Sequence, residues 1–157
     1  MSRCSIVAAV CVAVAAAFVV EASGAWSAST NAQTVTEKEC GSCHMAYLPQ
    51  FLPERSWQAL MAGLNNHFGE NASLDANTSK VILDYLTQHA ADRPGQDNRF
   101  LRGLADSVTP LRISDTPYWI RRHSEIPPEV FTHPKVQSKS NCGACHQDAA
   151  KGGFEDE

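Results

Sequence analysis

The chain has 157 residues and a formal charge of -4, from 13 Lys and Arg against 17 Asp and Glu. It carries no basic run, which argues against nucleic acid as a partner. Once the N-terminal apolar run is set aside, its apolar stretches are too short and broken to span a membrane.

Arg3 precedes an apolar run from Ile6 to Val20, and Ser23-Gly24-Ala25 follows as a small-x-small site. This pattern predicts a secretory signal peptide over residues 1–28, cleaved after Ala25 or Ala28, and hence a periplasmic protein. The run is short for a retained anchor, since about 20 apolar residues are needed to span a bilayer. Removing the segment takes away Arg3 and Glu21, so the charge stays at -4. It also takes away Cys4 and Cys11, leaving four cysteines.

All four belong to two copies of Cys-x-x-Cys-His. The first copy is Cys40-Gly41-Ser42-Cys43-His44 and the second Cys142-Gly143-Ala144-Cys145-His146. This spacing is the attachment signature of c-type haem: the two sulfurs add across two porphyrin vinyl groups, and the adjacent histidine lies under the iron. A four-cysteine zinc site usually spaces its pairs about 15–20 residues apart. Here 98 residues intervene between Cys43 and Cys142, and zinc would leave both histidines unexplained. A thioredoxin-like dithiol needs a strand–helix setting that neither pair has, and a bridge within such a pair is more often catalytic than structural. Two covalently attached haem c groups are therefore expected. They supply apolar surface that a mature chain of about 125–130 residues has limited capacity to provide itself. Two small lobes follow, residues 29–93 and 94–157, each around one haem.

Beyond the first motif, Pro53 predicts a helix start. Trp57, Leu60, Met61, Leu64, His67 and Phe68 then share one helical face, with Gly69 placed to end the helix. A second helix is expected after Ser73 or Asp75. Its face is Ile82, Tyr85, Leu86 and His89, and it ends before Arg93-Pro94-Gly95. From Pro94 to about Thr116 the pattern is poor, with a short helix at Asn98–Leu104. Thr116-Pro117 is a cap-then-proline start for a short helix bearing Trp119, Ile120 and His123. Pro127-Pro128 then calls for an extended path, and irregular chain leads to the second motif. No strand pattern persists, so the fold class is mainly α.

His44 and His146 are the expected proximal ligands. What lies on the opposite faces decides the chemistry, because an open face binds gases or peroxide whereas a ligated one favours electron transfer. Met45 follows His44 too closely to reach the far side, and Met61 reads more simply as core. Among the remaining histidines, His67 and His123 lie on apolar faces beside tryptophans and are the better distal candidates. His89 stands at a helix end and His133 before a proline, where capping or surface placement competes. Arg121 and Arg122 flank His123 and are candidate contacts to haem propionates. Trp57 and Trp119 are candidate haem-packing aromatics.

Five segments resemble the bacterial dihaem cytochrome c family (DHC-type): ECGSCHMAY (39–47), LPERSW (52–57), NHFGENASL (66–74), ISDTPYWIRRHSEI (113–126) and SKSNCGACH (138–146). The HFGE and TPYW-to-His segments are not general features of haem motifs, and together the matches span nearly the whole mature chain. The resemblance implies a periplasmic electron carrier with both irons bis-histidine ligated, by His67 on the first haem and His123 on the second. It also implies a class I cytochrome c-like N-terminal lobe and a second lobe with little regular structure. A membrane b-type cytochrome as donor and a small oxygen-binding c-type cytochrome as acceptor are the implied partners. His89 lies outside the pattern. The competing readings are a dihaem peroxidase or reductase, and a gas-binding haem sensor, each of which needs an open or labile iron.

Overall fold

The computed structural model describes residues 22–154, with side chains described from residue 31 on. Most of the predicted signal peptide lies outside the described residues. The two expected cleavage positions, Ala25 and Ala28, fall inside a continuous helix, α1 (Ala22–Cys40). Sequence patterning gives no sign of α1, because its residues form no apolar stripe. Its last turns are held by tertiary contact instead. Val35 packs against the core, and buried Thr36 satisfies its hydroxyl on the Ala32 carbonyl at 2.8 Å.

A 3-10 turn at Pro49–Phe51 leads into α2 (Glu54–Ala62). Pro53 stands at the N-cap and offers no capping side chain. Asp92 supplies one from across the fold, its carboxylate accepting the Glu54 N–H at 2.8 Å. Arg93 pairs with Glu54 at 3.0 Å, which ties the chain leaving α3 to the start of α2. The next helix, α3 (Ala76–Gln88), begins at Asp75, whose carboxylate accepts from the N–H groups of Asn77 and Thr78 at 3.0 Å each. Those bonds hold the Asp75 carboxyl below its usual pKa. Against α3 pack both α1 and α2. The resulting core holds Leu52, Trp57, Ile82, Leu86 and Ala90, with Met61 half-buried beside it, as its core reading requires.

The helix predicted to run from Pro53 to Gly69 is shorter than its apolar spacing suggests. It ends at Ala62, with Gly63 as C-cap. Glycine is a poor helix former, and the two asparagines soon after it favour turns. A 3-10 turn at Leu64–Asn66 follows. His67 and Glu70 then exchange backbone hydrogen bonds of 2.7 and 3.2 Å. Phe68 (φ 57°) and Gly69 (φ 106°) both take left-handed conformations between them. This is the geometry of a type I′ turn. Hence Gly69 serves a tight reversal rather than a helix end, and His67 stands at the mouth of a turn rather than on a helical face.

The second half is built from short pieces: 3-10 turns at Arg99–Leu101 and Ile113–Asp115, then α4 (Pro117–Arg122) and α5 (Pro128–Thr132). Thr116 caps α4 as expected, its hydroxyl accepting the Trp119 N–H at 3.3 Å. The extended path expected at Pro127-Pro128 is corrected. Only Pro127 is extended, and Pro128 occupies the first position of α5, where its missing N–H costs nothing. Among the described residues no strand forms. No helix among them is long and apolar enough to cross a membrane. The mainly α class holds.

Apolar burial is lopsided. Among the described residues, buried Phe51, Leu52, Trp57, Ile82, Leu86, Ala90 and Ala91 all precede residue 92, whereas the buried apolar side chains after it are the small Pro110 and Ala149. An aromatic seam joins the halves, with Phe51 packing edge-on against Phe100 at 4.8 Å and Phe154 at 5.4 Å.

Candidate functional site

The first motif begins where α1 stops. Gly41 donates its N–H to the Glu37 carbonyl at 3.0 Å, and a Cβ at position 41 would lie 2.2 Å from that oxygen. The glycine between the first two cysteines is therefore set by close backbone approach. Gly143, its counterpart in the second motif, meets nothing within 4 Å. We expect Gly41→Ala to cost about 1–3 kcal/mol of stability and Gly143→Ala to be nearly neutral, measured as the thermal midpoint of the haem-loaded protein.

Cys40, Cys43, Cys142 and Cys145 form no disulfide with one another. Burial, with a smaller contribution from Glu39, raises the Cys40 thiol, and burial with Cys145 raises that of Cys142. Among the described residues no group of three or more His, Cys, Asp or Glu is arranged to hold a metal ion.

The histidines form two facing pairs. His44 and His67 have ring centres 6.2 Å apart with planes inclined by 24°. His123 and His146 have ring centres 6.1 Å apart with planes inclined by 86°. A metal–imidazole bond is about 2 Å, and each ring centre lies roughly 1 Å beyond its nitrogen, so one metal between two imidazoles sets their centres about 6 Å apart. Both pairs fit that spacing.

Ring nitrogens are committed in the manner of metal ligands. The Nδ1–H of His44 can donate to the Met45 carbonyl at 2.7 Å, and that of His123 to the Trp119 carbonyl at 2.9 Å. Such a bond leaves Nε2 as the lone-pair nitrogen for a metal. Burial, then the neighbouring His44 and Arg112, lower the His67 pKa and favour the neutral, ligating imidazole. His89 instead packs on Tyr85 at 5.1 Å, and His133 accepts the Lys135 N–H on Nδ1 at 3.2 Å.

The remaining sequence candidates divide. Trp119 stacks on His123 with ring centres 4.1 Å apart. Trp57 is buried in the first core, its indole N–H donating to the Pro49 carbonyl at 2.8 Å. Arg121 is exposed and donates to the Arg102 carbonyl at 3.0 Å, while Arg122 is exposed beside His123.

Several site neighbours escaped the sequence reading. Tyr47 stacks on His44 at 4.8 Å and donates its hydroxyl to the Ser140 carbonyl at 2.8 Å, two residues before Cys142. Burial and Cys142, partly offset by that bond, push its phenol up to about 12, so it remains a donor. Phe154 packs on His146 at 5.3 Å, and the Arg112 guanidinium lies 3.8 Å over the ring of Phe68, beside His67. Tyr47 and Phe154 follow their motif histidines closely, a proximity that could have marked them. Arg112 carries no such signal.

A family description, dihaem cytochrome c, matches residues 36–154. Three solved structures are similar. A diheme cytochrome c from Rhodobacter sphaeroides shares 50% identity, over 77% of this chain and 95% of that one, with a TM-score of 0.71. DHC purified from Rhodobacter sphaeroides shares 46%, over 77% and 96%, with a TM-score of 0.65. The diheme cytochrome type c of Shewanella baltica OS155 shares 41%, over 79% and 88%, also at 0.65. No curated protein matches the chain. With twin attachment motifs, histidines paired at the spacing of axial ligands, and this likeness over three quarters of its length, the chain belongs to the dihaem cytochrome c family, a haem-based electron-transfer family carrying two haem c groups.

Proposed function

We propose that this protein is an exported, periplasmic electron carrier whose two irons are each closed by two histidines. In this reading His44 and His67 hold one haem, through Cys40 and Cys43. His146 and His123 hold the other, through Cys142 and Cys145. The observation that carries the reading is the pair of histidine separations, 6.2 and 6.1 Å, each matching two imidazoles across one metal. Each haem, when bound, supplies a one-electron ferric–ferrous couple. The chain's part is to occupy both axial positions, which leaves none for a substrate, and to set each site's packing and hydrogen bonds.

The two lobes, residues 29–93 and 94–157, are supported by the lopsided core. Residues 1–28 act as the signal peptide in this reading. Trp57 and Trp119 pack beside the haems, and Arg121 and Arg122 contact propionates. A membrane b-type cytochrome as donor and a small oxygen-binding c-type cytochrome as acceptor are the proposed partners.

Low-temperature EPR of the oxidised protein, with visible spectra of the reduced protein under carbon monoxide, tests the carrier against the peroxidase, reductase and gas-sensor readings. Two low-spin signals and no carbon monoxide adduct are expected. A high-spin iron or ready adduct formation in the unaltered protein overturns the proposal.

A further inference from the structure

The two histidine pairs share a spacing and differ in twist. The planes of His44 and His67 are inclined by 24°, whereas those of His123 and His146 stand at 86°. Twist matters because a histidine ligand donates π density perpendicular to its own ring. Two nearly parallel rings act on the same iron orbital and split it from its partner. Two crossed rings act on different orbitals and leave them close in energy. Ligand orientation is thus a lever on the electronic state of the iron, alongside ligand identity and outer-shell hydrogen bonds.

The surroundings of His123 explain its orientation. Its ring lies nearly flat on the indole of Trp119, centres 4.1 Å apart and planes 12° apart. Nδ1 is anchored to the carbonyl of the same residue at 2.9 Å. A single residue therefore restricts both the tilt and the rotation of the imidazole. Trp119 is itself constrained. Its N–H is capped by the buried Thr116 hydroxyl, Phe131 packs on its ring at 5.5 Å, and Lys139 Nζ lies 5.4 Å from the ring centre. At the first pair Phe68 is tilted by 58° against His67, and the flat neighbour is Tyr47, which lies on the motif histidine His44 (4.8 Å, planes 19° apart) and not on the facing His67.

We propose that Trp119 is a positioning residue that turns His123 across His146, so that the two haem sites are electronically unlike although both are ligated by two histidines. The inference rests on the histidine ligation proposed above. The platform does not touch the metal and acts only through His123.

The test is EPR of the oxidised, fully haem-loaded protein, with potentiometric titration of each haem. The unaltered protein is expected to give one rhombic low-spin signal and one strongly anisotropic low-spin signal with its main feature at lower field. Trp119→Leu removes the flat platform and keeps the backbone carbonyl. It should move the anisotropic signal toward the rhombic type and shift the potential of that haem, leaving the other haem unchanged. Trp119→Phe restores a flat face and should restore the anisotropic signal. Should Trp119→Leu fail to load its second haem, Trp119→Met carries the same expectation. Two rhombic signals in the unaltered protein, or an unmoved anisotropic signal in a loaded platform variant, overturn this inference. Both results leave the histidine ligation standing. Failure of that ligation shows itself separately, as a high-spin iron or a carbon monoxide adduct before any substitution.

Discussion

Replacing His67 by alanine opens one iron and leaves the other closed. In the oxidised variant one haem is expected to become high-spin. In the reduced variant that haem is expected to bind carbon monoxide stoichiometrically, against no binding in the unaltered protein. The reason is geometric. His67 is the imidazole facing His44 at 6.2 Å, and no other histidine is placed to take over. His89 is held against Tyr85 at the end of α3, and His133 has turned Nδ1 to the Lys135 N–H. Met61 packs against the first core. His123→Ala should produce the same change at the second haem. The double variant should bind two equivalents of carbon monoxide. Retention of two low-spin, carbon monoxide-inert haems in either single variant would remove that histidine from the ligand set.

The second large effect concerns folding. Replacing Cys142 and Cys145 together by alanine removes both thioether bonds to one haem. The intact mass should then fall by one haem beyond the change from the substitutions, while the first haem keeps its spectrum. The polypeptide should respond unevenly. Residues 51–91 bury Phe51, Leu52, Trp57, Ile82, Leu86, Ala90 and Ala91, an apolar core of their own. Beyond residue 92 the buried side chains are few and small, among them Thr116 and Ala149. A segment with so little core depends on its bound group for compactness, because a ligand that binds only the folded form stabilises it. Limited proteolysis should therefore cut the double variant between about residue 94 and the C-terminus well before the unaltered protein, with the N-terminal helices persisting. Equal resistance in both proteins would show that the second half is held without its haem, through the aromatic seam of Phe51, Phe100 and Phe154.

How far the site could be read without the fold depends on the range of each interaction. Thr116-Pro117 and Asp75 mark their helix starts because a cap is decided within three or four residues. The reading failed where range was longer. The apolar spacing from Trp57 to Phe68 fits a helix, yet Gly63 and the turn-forming pair Asn65-Asn66 end it early, and Phe68-Gly69 reverses the chain. His67 still arrives opposite His44, by a turn rather than by a helical face. Likewise α1 carries no apolar stripe and is secured by packing on α3, which only the folded chain supplies.

The sequence by itself determined the number of covalent haems and supplied the proposal for their proximal ligands. Thioether attachment and proximal ligation are properties of five consecutive residues, so the two Cys-x-x-Cys-His motifs carry them wherever they sit in a fold. Composition and the broken apolar pattern likewise settled a mainly α architecture. Only the tertiary structure decided which histidine faces which. His67 lies 23 positions after His44, and His123 lies 23 positions before His146. Bringing each pair to about 6 Å depends on how helices, turns and aromatic side chains pack between them. The twist within each pair belongs to the structure for the same reason. A ring's orientation is set by the surface it rests on, and the flat indole of Trp119 beneath His123 has no counterpart beneath His67.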